Sequence, residues 1–178
     1  MAPPPAPPPP QAIKDIQAIL TPKTVFVTSQ NFNGNLGGLE GADEKCQAAA
    51  DTAGLAGTDM AWLSDDNESP AQRFKTLAVG AYIKTDGATV AGNWGDLTDG
   101  TLNRGIDRDE DGNDLSGLGV WTGTNVDGSK NPNNCLNWTD GSAANTGLEG
   151  LSGATNSIWT ALNIPPCSNL THLYCFEQ

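Results

Sequence analysis

Basic side chains are scarce: nine Lys and Arg stand against 21 Asp and Glu, for a net charge of −12. A protein that grips a nucleic-acid backbone needs cationic surface to release counterions, so nucleic acid is not an expected partner. An anionic membrane surface is disfavoured for the same reason. Long apolar runs are missing too, and no stretch approaches the roughly 18 residues of a membrane helix. The opening MAPPPAPPPP has neither the basic start nor the apolar core of a secretory signal, so the chain reads as cytosolic or as a mature fragment with an initiator Met. Histidine occurs once, and none of the four cysteines forms a CxxC pair, so a zinc site lacks its usual ligand spacing. No GxSxG, GxGxxG or phosphate-binding glycine loop occurs.

What is present points outside the cell. Cys46, Cys135, Cys167 and Cys175 read as two disulfides, which places the chain in an oxidising compartment, secreted or at the cell surface. Four cysteines alone allow three pairings. Apolar residues make up 37% and charged residues 17%, leaving a large neutral polar share of Gly, Asn, Thr and Ser. That mix suits a loop-rich folded domain, and 178 residues suit one domain with a short appendage.

The appendage is legible. Residues 1–11 form a Pro-rich stalk, since such a run adopts polyproline II and spaces rather than packs. Residues 12–22 follow as a short helical neck with Ile13, Ile16, Ile19 and Leu20 at spacings of three and four. This stripe either docks on its own domain or self-associates, making a homotrimer. The globular domain spans 23–178. TVFVTSQ (24–30) predicts a first strand, and a helix starting at Gly41 or Ala42 ends at Gly54. MAWLS (60–64) predicts a short buried strand, and residues 70–76 a short helix. GAYIKTDGATVAGNW predicts two strands around an Asp-Gly turn. The apolar HLYCFEQ should pair with the first strand.

The motifs VWTGT, NPNNC, IWTAL and LYCF together resemble the C-type-lectin-like signature. FVTSQNFNGNLGGLEGADEKCQAAADTAGLAG with AWLSD resembles, more closely, the bacterial domain of the leptospiral endostatin-like outer-surface proteins. The resemblance covers roughly residues 24–178. It implies an α+β fold in which two helices flank a twisted antiparallel sheet below a long loop region. It also implies nested disulfides, Cys46–Cys175 and Cys135–Cys167, and a bacterial outer-surface location.

The chain departs from sugar-binding C-type lectins where they hold calcium. Those proteins use carboxylates and amides beside a cis-proline, and an Asn-Asp pair after the second Trp. Here Asn131-Pro132-Asn133-Asn134 offers amides only, and Thr160 and Ala161 follow Trp159. A hard divalent cation wants several charged oxygens, so calcium-mediated sugar binding is not expected at that loop.

A second place invites calcium. In IDRDEDGNDLSG (106–117), Asp107, Asp109, Asp111 and the Asn113 carbonyl fit the first positions of a DxDxDG loop. The twelfth position is Leu118 rather than Glu. The same residues equally spell a β-hairpin with an Asp-Gly turn, so an open Ca2+ loop and a plain hairpin both stand.

No enzyme is expected. His172 has no free cysteine or serine nucleophile beside it in the sequence, and the acidic run 65–68, with Asp65 and Asp66, is the one hydrolase-like feature. The expected function is a binding or adhesion head that recognises an extracellular glycan or surface protein through its long-loop face, about residues 100–160. Asn125, Asn131, Asn133, Asn137 and Trp138 are the candidate contacts. The alternative is a structural or host-matrix-binding domain without a small-molecule ligand.

Overall fold

A computed structural model describes residues 21–76 and 80–178. The Pro-rich stalk and all but the last two residues of the neck lie outside the described residues.

Strand β1 (Lys23–Val27) is followed by helix α1 (Gly38–Ala53). The helix begins three residues before Gly41, because Gly37 and Gly38 take left-handed φ values of 85° and 79° and turn the chain into it. Glu40 sits at its positive end, and Gly54, at φ 71°, closes it by donating its N–H to Ala50 and Asp51 carbonyls. Leu39, Ala42, Cys46 and Ala50 form the buried stripe. Short elements follow: β2 (Asp59–Ala61), α2 (Pro70–Arg73), β3 (Tyr82–Lys84), β4 (Thr89–Ala91) and α3 (Trp94–Leu97). Then come β5 (Gly119–Trp121), β6 (Glu149–Leu151) and the terminal β7 (His172–Glu177).

The protein is α+β, as the sequence predicts, but the described residues hold one long helix where two were expected. The predicted 70–76 helix ends at Arg73, and α3 is likewise a single turn. The sheet is curled and mixed rather than antiparallel, in the order β4-β3-β1-β7-β5-β6, with β2 also on β7. β1 pairs with β3 in parallel, and so does β5 with β7. Parallel pairing needs a long crossover, which α1 with β2 supplies in the first case and the loop region in the second. β1 and β7 run antiparallel with Phe26 opposite Cys175, so the first and last strands meet as predicted.

Alternation along these central strands sends side chains to two cores. Val25, Val27, Tyr174 and Phe176 face one layer with Trp62, Trp159 and Phe74. Phe26, Leu173 and Cys175 face α1, with Trp121 and Trp138 beyond. Both disulfides have the pairing that the resemblance implies: Cys46–Cys175 fastens α1 to β7, and Cys135–Cys167 closes the loop region. Their sequence separations are 129 and 32 residues, for which the chain-entropy account gives about 5 and 4 kcal/mol of stabilisation.

Candidate ligand-binding face

The loop region is built around an unusual turn. Cys135, Leu136, Asn137 and Trp138 have φ values of 51°, 54°, 56° and 60°, four consecutive non-glycine residues in left-handed conformation. Such residues cost about 1–2 kcal/mol each, so the surroundings must over-determine them. They do. Cys135 is fixed to Cys167, and the fully buried Trp138 donates its indole N–H to the Ser64 carbonyl at 2.7 Å. The Trp138 carbonyl takes the N–H groups of Leu36 and Gly37. Gly123 has to be glycine for the indole to fit, since a Cβ there would lie 2.7 Å from the ring.

Asn134 is the lock at the start of the turn. Its Oδ1 accepts the Asn137 N–H at 3.0 Å, and its Nδ2 donates to Asp66 at 2.7 Å. Asp66 in turn donates its N–H to the Asn137 side chain at 2.9 Å. Lys130 donates to the Asp66 carbonyl at 2.9 Å. With Cys135 and Trp138 buried, the turn pushes Leu136 outward at 59% exposure.

Three of the sequence-predicted contacts form a chain of amides beside this turn. Asn125 takes Asn131 Nδ2 at 2.9 Å and donates to the Lys130 carbonyl at 2.9 Å. Asn131 Oδ1 receives both the backbone N–H and the side-chain amide of Asn133, each at 3.0 Å. Thr146 donates to Asn133 at 3.2 Å. Asn125, Asn131, Asn133 and Asn137 remain partly exposed. Trp138 is the correction: it is completely buried and holds the turn, so it cannot touch a ligand. Lys130 and Leu136 also stand here without having been singled out in the sequence, while Asp66 and Asn134, read there as a hydrolase-like carboxylate and a loop amide, serve this turn instead.

The acidic hairpin lies apart. Arg108 bridges to Asp114, and the turn closes through Asp109 N–H to Asn113 carbonyl at 3.0 Å and Gly112 N–H to Asp109 carbonyl at 3.0 Å. The proposed ligands point to different partners. Asp107 pairs with buried Lys84 at 2.7 Å. Asp109 is buried and caps the turn, accepting the N–H groups of Asp111 and Asn113. The Asn113 side chain bonds Asp109 as well, and Asp111 faces solvent. Glu110 binds the Ser29 N–H at 2.9 Å, beside a cleft of about 280 Å³ against α1.

Repulsion in this hairpin is relieved by cations of the protein itself. Arg108 joins Asp86 at 3.0 Å and Asp114, holding the Asp114 carboxyl well below the usual carboxylate range. Among the described residues no group of three or more His, Cys, Asp or Glu side chains is arranged to hold a metal ion.

The hydrolase-like residues are also committed. Asp65 caps its own turn through the Asn67 and Glu68 N–H groups, both at 2.7 Å, and Asp66 serves the left-handed turn. His172 contacts the Thr28 carbonyl at 2.7 Å through Nδ1. No family model matches the chain, and no curated protein matches it.

Proposed function

We propose that residues 23–178 form a C-type-lectin-like binding head, akin to the leptospiral endostatin-like surface proteins, that engages an extracellular glycan or surface protein. The observation that carries this reading is the left-handed turn 135–138, where four residues hold a costly conformation and present Leu136 beside a row of half-exposed amides. Backbone strain kept by a disulfide, a buried indole and a bridging Asn is a feature of sites whose shape matters. Asn125, Asn131 and Asn133 already satisfy one another, so the row is pre-organised and meets a ligand with little ordering cost. Leu136 supplies an apolar anchor at its edge.

Two supports for the fold reading are the nested disulfides and the meeting of β1 with β7. Two disulfides also fit an oxidising, extracellular compartment, and no helix among the described residues is long and apolar enough to cross a membrane. In this proposal recognition is non-enzymatic and does not run through calcium, since the amide row brings no carboxylate of its own. Trimerisation through residues 12–22 would multiply weak sites by effective concentration.

Glycan arrays run beside pull-downs on extracellular-matrix proteins test the reading. Binding to either that is lost when Leu136 and Asn133 are replaced supports it. A matrix-only result favours the protein-binding alternative, and binding that ignores both substitutions removes the proposed face.

A further inference from the structure

We propose that Asp59 is a proton-binding site: the folded protein holds a proton on this carboxyl, and its loss loosens the corner where β2 meets the C-terminal end of β7. The geometry leaves one oxygen of this carboxyl buried without a partner. Asp59 is 3% exposed, and its Oδ2 has no hydrogen-bond partner. In the β2–β7 ladder it stands directly opposite Glu177, so two acids share one cross-strand position.

Every element packed against this corner has a role. On β7, Glu177 accepts the Thr24 N–H at 2.9 Å and lies 3.7 Å from the Lys23 ammonium of β1. Glu177 also packs tightly on Gly57, where a Cβ would come within 2.7 Å of its Cγ. On α1, Gln47 gives its carbonyl oxygen to the Asp59 N–H at 2.9 Å, and its amide to Asp51 at 2.8 Å. Asp51 thereby adds a third carboxylate to the neighbourhood. Among the described residues one ammonium, that of Lys23, thus faces three acids, and it pairs with Glu177 rather than Asp59.

A proton removes the uncompensated charge and turns Asp59 into a donor among acceptors. Burial, then Glu177, then Asp51 push its pKa up to about 7, against a smaller pull downward from Lys23. The sign follows. A raised acid pKa contributes stability that is full below the unfolded value of about 3.9 and is lost as pH rises through about 7. The bonds that yield are local: Asp59 N–H to Gln47, Gln178 N–H to the Thr58 carbonyl at 2.8 Å, and Lys75 N–H to Gln178 Oε1 at 3.1 Å.

The test is a ¹³C-carboxyl NMR titration of the intact chain with amide hydrogen exchange at pH 6 and 8.5, corrected for the base-catalysed intrinsic rate. The Asp59 carboxyl should titrate near 7, and local opening at Asp59 and Gln178 should rise about tenfold between the two pH values. Asp59→Asn should abolish that rise, and Glu177→Gln should lower the midpoint. Titration in the ordinary carboxylate range overturns the proposal, as does a rise in opening that persists in Asp59→Asn. Should Asp59→Asn fail to fold, the wild-type titration still decides.

Discussion

Leu136 offers a test in which the usual ranking of two residues inverts. Its φ of 54° and ψ of 58° place a Cβ in the left-handed region, at a cost of about 1–2 kcal/mol. Leu136→Ala keeps the Cβ and removes an isopropyl group that is mostly in solvent; Leu136→Gly removes the Cβ as well. At an ordinary helix or strand position glycine is about 0.5–1 kcal/mol worse than alanine. Here relief of the left-handed strain outweighs the extra freedom glycine gives the unfolded chain, about 0.4–1 kcal/mol. The glycine variant should therefore be more stable than the alanine variant by about 1 kcal/mol. For a chain of 178 residues that corresponds to about 2–4 °C in Tm. Urea unfolding without reductant, so that both disulfides persist, measures the difference. An alanine variant as stable as the glycine variant, or more so, refutes the assignment of strain to this turn.

Other outcomes follow from the same face and its neighbours. Asn134→Ala removes the bond that caps the turn and the one to the Asp66 carboxylate; it should cost about 2–3 kcal/mol in thermal unfolding. Replacing Cys135 and Cys167 together by Ser frees a 32-residue loop and should cost about 4 kcal/mol, read by urea titration. Melting curves with calcium and with EDTA should coincide, because Asp107 is engaged by Lys84 and Asp109 by its own turn; a calcium-dependent rise would restore the open-loop reading. Sedimentation with and without residues 1–22 decides between the two readings of the neck: a trimer that becomes a monomer supports self-association, and a monomer in both cases removes it.

Local chemistry made much of this legible in advance. β-branched residues announced β1, Gly54 marked the end of α1, and the apolar HLYCFEQ predicted a buried final strand beside the first. Parallel pairing was not legible, because it depends on where crossovers return the chain and not on any strand's own residues. The acidic hairpin was ambiguous for a physical reason: alternating Asp before Gly serves a turn and a calcium loop equally well. What separates them is Lys84, 23 residues upstream of Asp107, which only the fold brings alongside. Trp138 was a candidate contact because it lies within the long-loop region, about residues 100–160, that lectin-like domains use for binding. A left-handed run of Cys, Leu, Asn and Trp turns it inward, and nothing in those residue types signals that run. Asn134 stood in the sequence only as one loop amide among several; its locking role was hidden because its partner Asp66 is 68 residues away.

The most direct test of the account compares two substitutions against whichever ligand the glycan and matrix-protein screens identify. Leu136→Asp alters the exposed tip of the left-handed turn, whereas Thr89→Asp alters the exposed first residue of β4, at the far end of the sheet order. Binding measured by surface plasmon resonance should fall at least tenfold in Leu136→Asp and stay unchanged in Thr89→Asp. Unaltered affinity in Leu136→Asp, or equal loss in both variants, contradicts a ligand face built on this turn.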